Sequence, residues 1–286
     1  MSSEIIGLAQ WLDSPPGRYL LGWEQACVDE AVADLFGYHA LQLGLPQLQG
    51  LRANRMPHRW LALGADESAD WTAGQAAEGA LAAAWMPAHL LAEPAALPFA
   101  QGSLDLVVLP HTLELSPDPH TTLREVERVL VPEGRLVIAG LNPASLWGLR
   151  QQRARLSRRW GGGSLFLPEG GDFIGYWRLR DWLRLLSFEV ESAQFGCYRP
   201  AVRSQRWLER FGFMDSWGER WWPILGAAYF IVAVKRVPGM RLLEPAWRTS
   251  RKTAATSVPV ARHGARSHAG PDAGTIRPFA NEQDCV

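Results

Sequence analysis

A strand, helix, strand unit between residues 97 and 140 constrains this chain more than any other feature. Leu104-Asp-Leu-Val-Val-Leu is a continuous apolar run of the kind buried on both faces of a parallel sheet, and the turn residues Gln101-Gly-Ser precede it. Pro117-Asp-Pro then predicts a helix start, with Asp118 as N-cap and Pro119 in the first helical position. Leu123, Val126, Val129 and Leu130 form the apolar stripe, while Arg124, Glu125, Glu127 and Arg128 face outward. Pro132 and Gly134 stop the helix, and Arg135-Leu-Val-Ile-Ala-Gly is the next strand. Two parallel strands joined by a helical crossover imply an α/β domain with helices on both faces of its sheet.

The flanking segments extend this pattern. Apolar residues at mixed three and four spacing predict a helix from Gly22 to Phe36, ended by Gly37. Strands are expected at Tyr38–Leu45, Trp60–Gly64, His89–Ala92, Phe188–Ala193 and Ala227–Val234. An Ala-rich helix is expected at 75–84, a basic helix over Pro143–Leu156 and another over Leu179–Leu186, with Gly161-Gly-Gly-Ser as a break. The domain reading is a lead-in over 1–20, one domain over 21–237 with a substrate-side insertion at 145–223, and a disordered tail over 238–286.

Three cysteines with no CxxC pair argue against both a disulfide framework and a zinc knuckle, and the seven histidines lack the HxxxH and HxH spacings of metal sites. Nothing at the N-terminus reads as a signal peptide, and the apolar run Ile224–Val234 is about half the ~20 residues of a membrane span. The expectation is a soluble cytoplasmic protein. A net charge of zero hides an asymmetry: residues 1–140 carry 17 acidic and 7 basic side chains, and 141–241 carry 8 and 16. Either the two halves attract each other, or the arginine-rich 141–241 region faces a nucleic acid, an anionic membrane surface or an anionic substrate. Neither a GxGxxG dinucleotide loop nor a phosphate-binding GK[ST] loop is present, which disfavours NAD enzymes and nucleotide hydrolases.

Two segments carry a family resemblance. Glu93-Pro-Ala-Ala-Leu-Pro-Phe-Ala-Gln-Gly-Ser-Leu-Asp-Leu-Val-Val-Leu resembles the acidic residue, Leu-Pro-Phe and Asp-Leu-Val segment of class I S-adenosylmethionine-dependent methyltransferases of the type 11 kind. Leu123-Arg-Glu-Val-Glu-Arg-Val-Leu-Val-Pro-Glu-Gly-Arg-Leu-Val-Ile resembles that family's Arg-Val-Leu-x-Pro-Gly-Gly-x-Leu helix and strand, with Glu133 replacing the first glycine. The resemblance implies a Rossmann-like, mostly parallel sheet with a late antiparallel strand, and S-adenosylmethionine as methyl donor to an oxygen, nitrogen or carbon acceptor. The family's first strand ends in an acid followed by Gly-x-Gly-x-Gly; the aligned residues here are Gln42, Gly44, Pro46 and Leu48, so one glycine remains and Pro46 lacks an N–H. Asp66 or Glu67 stands nearest the expected ribose acid, and Glu93 stands where the family has an acid near the adenine amino group. The implied cofactor residues are Gln42, Gly44, Glu93, Leu109 and His111.

Ligands of parallel α/β sheets sit beyond the carboxyl ends of the strands, which singles out the loops after Leu43, Leu109 and Gly140. His111 reads as a sulfonium-site residue or general base, since an unperturbed imidazole titrates near neutrality; the competing reading is a buried structural histidine. Glu114 either orients His111 or is a helix-face charge. Asn142 either contacts substrate or caps a helix, and Trp147, with Trp160, Trp177 and Trp182, either walls an apolar pocket or fills the core. The tryptophan- and arginine-rich second half suggests an aromatic or lipid-like small-molecule acceptor. The rival function is a non-catalytic module that binds nucleic acid, membrane or protein through that half. The tail has too little apolar content to offset its ordering entropy, so a chain ending at Met240 should melt within a few degrees of the full chain in calorimetry.

Overall fold

The computed structural model describes residues 7–64, 88–158, 165–168 and 171–236. The expected helix at 75–84, the Gly161–Ser164 break, Asp66, Glu67, Trp160 and the tail lie outside the described residues. The described residues begin with helices α1 (Leu8–Leu12) and α2 (Pro15–Ala33), followed by strands β1 (His39–Leu43), β2 (His58–Leu63), β3 (Ala88–Leu91) and β4 (Leu104–Pro110). Then come α3 (Thr112–Leu115), α4 (Pro119–Val129), β5 (Leu130–Leu141), α5 (Leu146–Arg158), α6 (Tyr176–Leu185) and β6 (Phe188–Gly196). Helices α7 (Gln205–Arg210) and α8 (Phe213–Trp221), a 3-10 turn at Pro223–Leu225, and β7 (Ala228–Lys235) complete the described part.

The strands form one sheet in the order β3-β2-β1-β4-β5-β7-β6. Its first five strands are parallel to one another, and β7 runs antiparallel between β5 and β6. This is the mostly parallel sheet with a late antiparallel strand expected from the sequence. Alternation along the strands divides the core in two. Ala40, Leu106, Val108, Val137 and Ala139 meet α1, α2 and α5 on one face, while Leu41, Val107, Leu109, Leu136 and Ile138 meet α4 and α6 on the other.

Local chemistry fixes the helix starts. Asp118 accepts from the N–H groups of His120 (3.1 Å) and Thr121 (3.2 Å), so α4 begins where the Asp-Pro pair predicts. Helix α2 begins earlier than expected, because Ser14 caps it by accepting from Gly17 N–H (3.3 Å) and Pro15 occupies its first turn. The segment expected as a lead-in thus belongs to the core: Trp11 and Leu12 are buried, and the Trp11 indole donates to Phe166 O (2.7 Å). Glu133 takes a φ of 64°, the left-handed conformation that explains why the resembling pattern has glycine there.

Gly148 of α5 lies so close to the Pro143 backbone that a Cβ would come within 2.2 Å of its carbonyl oxygen. Helix propensity alone favours alanine by about 1 kcal/mol, but overpacking against backbone costs about 1–3 kcal/mol. The clash should win. Gly148→Ala should lower the urea midpoint with an unchanged m-value, the signature of lost stability in an intact fold.

Candidate functional site

The carboxyl ends of β1, β4 and β5 meet around one buried histidine. His111 follows β4 directly and holds a left-handed φ of 55°, a strained conformation for a residue with a side chain. Its backbone N–H donates to Ala139 O of β5 (2.9 Å). Its ring lies between two carboxylates: Nε2 meets Glu24 Oε1 of α2 at 2.9 Å, and Nδ1 meets Glu114 Oε2 at 3.0 Å. All three side chains are buried. The second oxygen of Glu114 accepts from Leu141 N–H, so the triad also pins the end of β5. The second oxygen of Glu24 is buried with no hydrogen-bond partner.

Burial alone would push the imidazole down, but the charges and hydrogen bonds of Glu24 and Glu114 together outweigh it and hold His111 up at about 10. Burial pushes Glu114 above the ordinary carboxylate range, against the opposing pull of the His111 charge and the Leu141 N–H. His111 is therefore an imidazolium near neutrality, donating from both nitrogens. This differs from the general-base role expected of an unperturbed histidine, because a doubly donating ring has no lone pair to accept a proton. Glu114, in turn, orients His111 and is not a solvated helix-face charge. The two carboxylates lie on opposite sides of the ring and do not converge on one point, and no metal-holding group of His, Cys, Asp and Glu occurs among the described residues.

The loop after β1 is tied down from inside. Gln42 is buried; its Nε2 donates to the carbonyls of Gly44 (3.1 Å), Leu45 (3.0 Å) and Leu48 (2.8 Å), and its Oε1 accepts from Gly50 N–H (2.9 Å). An acid at this position could accept but not donate to three carbonyls. Gly44 has a φ of 74° and donates to Ala62 O (2.8 Å). Leu45, Leu48 and Leu51 fill the core, and Gln47 Oε1 is buried without a partner. Helix α2 grips the loop through Gln25, whose side chain accepts from Gln49 N–H (2.9 Å) and donates to Gln49 O (3.1 Å). No helix lies between β1 and β2.

The other sequence candidates separate from this centre. Leu109 is a fully buried strand residue, and Glu93 is exposed at the rim beyond β3. Asn142 spends its amide on Ile224 O (2.8 Å) and Gly226 O (2.9 Å), while Ser145, not Asn142, caps α5 by accepting from Gly148 N–H (3.1 Å). Trp147 is buried against Trp11 and Phe166, and its indole donates to Arg199 O (2.8 Å). Sequence reasoning missed Glu24. Its signal was a carboxylate inside the apolar i, i+4 stripe Leu20, Glu24, Val28, all fully buried.

Residues 56–138 match the family described as "Methyltransferase domain". A solved S-adenosylmethionine-dependent methyltransferase from Thermotoga maritima is 15% identical, with a TM-score of 0.52 over 76% of this chain and 92% of that one. The fold is that of the class I S-adenosylmethionine-dependent methyltransferases. A solved [4+2]-cyclase, SpnF, shares it at 17% identity, with a TM-score of 0.50 over 75% of this chain and 80% of that one. The uncharacterized protein YafS of Escherichia coli (strain K12) is 43% identical over 105 residues, which span 37% of this chain and 41% of that relative. The matched stretch is thus under half of either protein.

His111→Ala would leave two buried carboxylates without a counter-charge. It should cost about 3–5 kcal/mol at neutral pH by chemical denaturation, and the loss should shrink as pH falls through the carboxylate range. In the native chain the folded pKa of His111 lies above its unfolded value of about 6.5, so its contribution is present below that pH and is lost as pH rises through about 10.

Proposed function

We propose that this chain is an S-adenosylmethionine-dependent methyltransferase whose acceptor is an aromatic or lipid-like small molecule. The observation that carries this reading is the methyltransferase-domain match over residues 56–138, which coincides with the β2 to β5 unit of a sheet in the β3-β2-β1-β4-β5-β7-β6 order. Two buried acceptors without donors, Glu24 Oε2 and Gln47 Oε1, belong to the elements around the carboxyl ends of β1 and β4. Those two acceptors fit a cation bearing N–H donors, which the α-ammonium of S-adenosylmethionine supplies.

In this reading Gln42, Gly44, Leu109 and His111 bound the cofactor site, Glu24 and Gln47 accept from the ammonium, and Glu93 reaches the adenine amino group from the rim. The cofactor, when bound, supplies an electrophilic methyl group. The chain's own contribution is alignment: the imidazolium fixes the end of β4, Gln42 fixes the loop, and the buried setting keeps water from the charged cluster. Asn142 and Trp147 act by holding the acceptor side of the site in place.

A second reading rests on the internal clasp of Gln42 and on the leucines that fill the glycine-poor loop: a methyltransferase-fold module that does not turn over. Isothermal titration with S-adenosylmethionine and S-adenosylhomocysteine separates the two. The enzyme reading expects micromolar binding that weakens about tenfold in Glu93→Ala, an exposed change that leaves the fold intact. Absence of binding to either ligand by a well-folded sample leaves the module.

A further inference from the structure

Helices α7 and α8 and the 3-10 turn after them carry a run of exposed large apolar side chains. Trp207 stacks on Phe211, Phe211 meets Phe213, and Phe213 lies edge-on to Trp217. Phe213, Trp217 and Trp221 are spaced four apart and so share one face of α8. Trp207, Phe213, Trp217, Trp221 and Trp222 are each more than half exposed. Ile224 and Leu225 continue the exposed run up to Gly226. A soluble surface rarely leaves so many large rings together in water unless a partner covers them.

The opposite side of α8 is firmly seated, so the exposed face is not a poorly docked helix. Gly218 approaches Tyr198 so closely that a Cβ would come within 2.1 Å of its ring. Asp215 takes hydrogen bonds from the Tyr19 hydroxyl of α2, from Tyr198 N–H (3.3 Å) and from Arg199 Nε (2.9 Å). The fold buries one side of α8 and presents the other.

Charge identifies the occupant. Positions 196–226 hold five arginines and three acids, and Arg199 is paired with Asp215. Helix α5, joined to the same segment by Trp147 Nε1 to Arg199 O and Arg150 to Ala201 O, adds four arginines and no acid. Several of these arginines contact groups that leave their charge uncompensated: Arg150 and Arg203 donate to backbone carbonyls, while Arg155 and Arg210 lie over the rings of Phe173 and Trp207. Tryptophan with arginine suits either a lipid headgroup region or a single-stranded nucleic acid. The exposed aliphatics Ile224 and Leu225, with Leu146, Leu149 and Leu156 on α5, decide between them, because they insert between acyl chains but offer nothing for a base to stack on.

We infer that the α7–α8 face, with the arginines of α5, docks this chain on the interface of an anionic lipid bilayer. The attachment is interfacial: no helix among the described residues is long and apolar enough to cross a membrane. It stands independently of methyl transfer. Asn142, whose amide holds the carbonyls of Ile224 and Gly226, and the pairing of Leu141 with Ala228 put this face at the same end of the sheet as His111.

The test is co-sedimentation of the full-length chain with vesicles of phosphatidylcholine alone and with vesicles that also contain phosphatidylglycerol. Docking predicts binding to the anionic vesicles only, weakening as salt rises, and a roughly tenfold loss in Trp217→Ser/Trp221→Ser. Arg206→Glu/Arg210→Glu should lose binding to a similar degree, and it tests the same face if the tryptophan pair fails to fold. Three results would overturn the inference: no binding to anionic vesicles, binding that both double variants retain, or capture of polyuridine in place of vesicles. A solution dimer dissolved by the tryptophan pair would overturn it too, by making the face a contact between copies of the chain.

Discussion

A protonated histidine held between two buried carboxylates joins the parts of this molecule that the sheet alone does not. Glu24 comes from α2, Glu114 from the short helix after β4, and the second Glu114 oxygen reaches β5. Removing charges from water is expensive, and such a cluster is tolerable only when each member satisfies the others. That demand fixes positions. It also explains how His111 keeps a left-handed backbone: two side-chain contacts and the bond to Ala139 over-determine it. Within the cluster, the oxygen without a hydrogen-bond partner is Glu24 Oε2.

The loop after β1 solves a related problem by other means. A glycine-rich loop exposes bare backbone to a ligand, whereas here three carbonyls converge on one amide, and leucines take the space beneath. Gln42 suits this role because an amide both donates and accepts; a carboxylate there would confront the three carbonyls with like partial charge. The amide at position 42 and the leucines of the loop thus serve one arrangement. Once the loop turns its carbonyls inward to Gln42, φ is positive at Gly44 and at Leu45, and only the first of these is a glycine.

How much could be read beforehand follows from how local each signal is. The strands and α4 were legible because a buried parallel strand is a short apolar run and an Asp-Pro pair starts a helix whatever surrounds it. The His111 and Glu114 pair was half legible, three residues apart on one turn, but which of its two readings held depended on burial. Glu24 lies 87 residues from His111, and no periodicity reports a contact across that distance. Asn142 and Trp147 have the residue types of a substrate wall, yet backbone carbonyls from the 199–226 segment take their polar atoms. The i, i+4 spacing of Phe213, Trp217 and Trp221 is a helix signal, but that these rings face outward is a property of the fold that spacing does not report.

The split of charge between the two halves of the sequence is resolved in the same way. Attraction between the acidic first half and the basic second accounts for Lys235 with Glu127 and Arg236 with Glu133, both at the end of the sheet away from His111. It does not account for Arg150, Arg155 and Arg210, which lie over the rings of Phe166, Phe173 and Trp207. The link between that surface and the buried triad is α2 itself. Tyr19 holds Asp215, and five residues later Glu24 holds His111, so a single helix carries both contacts. This 19-residue helix, capped by Ser14 and buried along one stripe, thus ties the α8 segment and the charged cluster to one element.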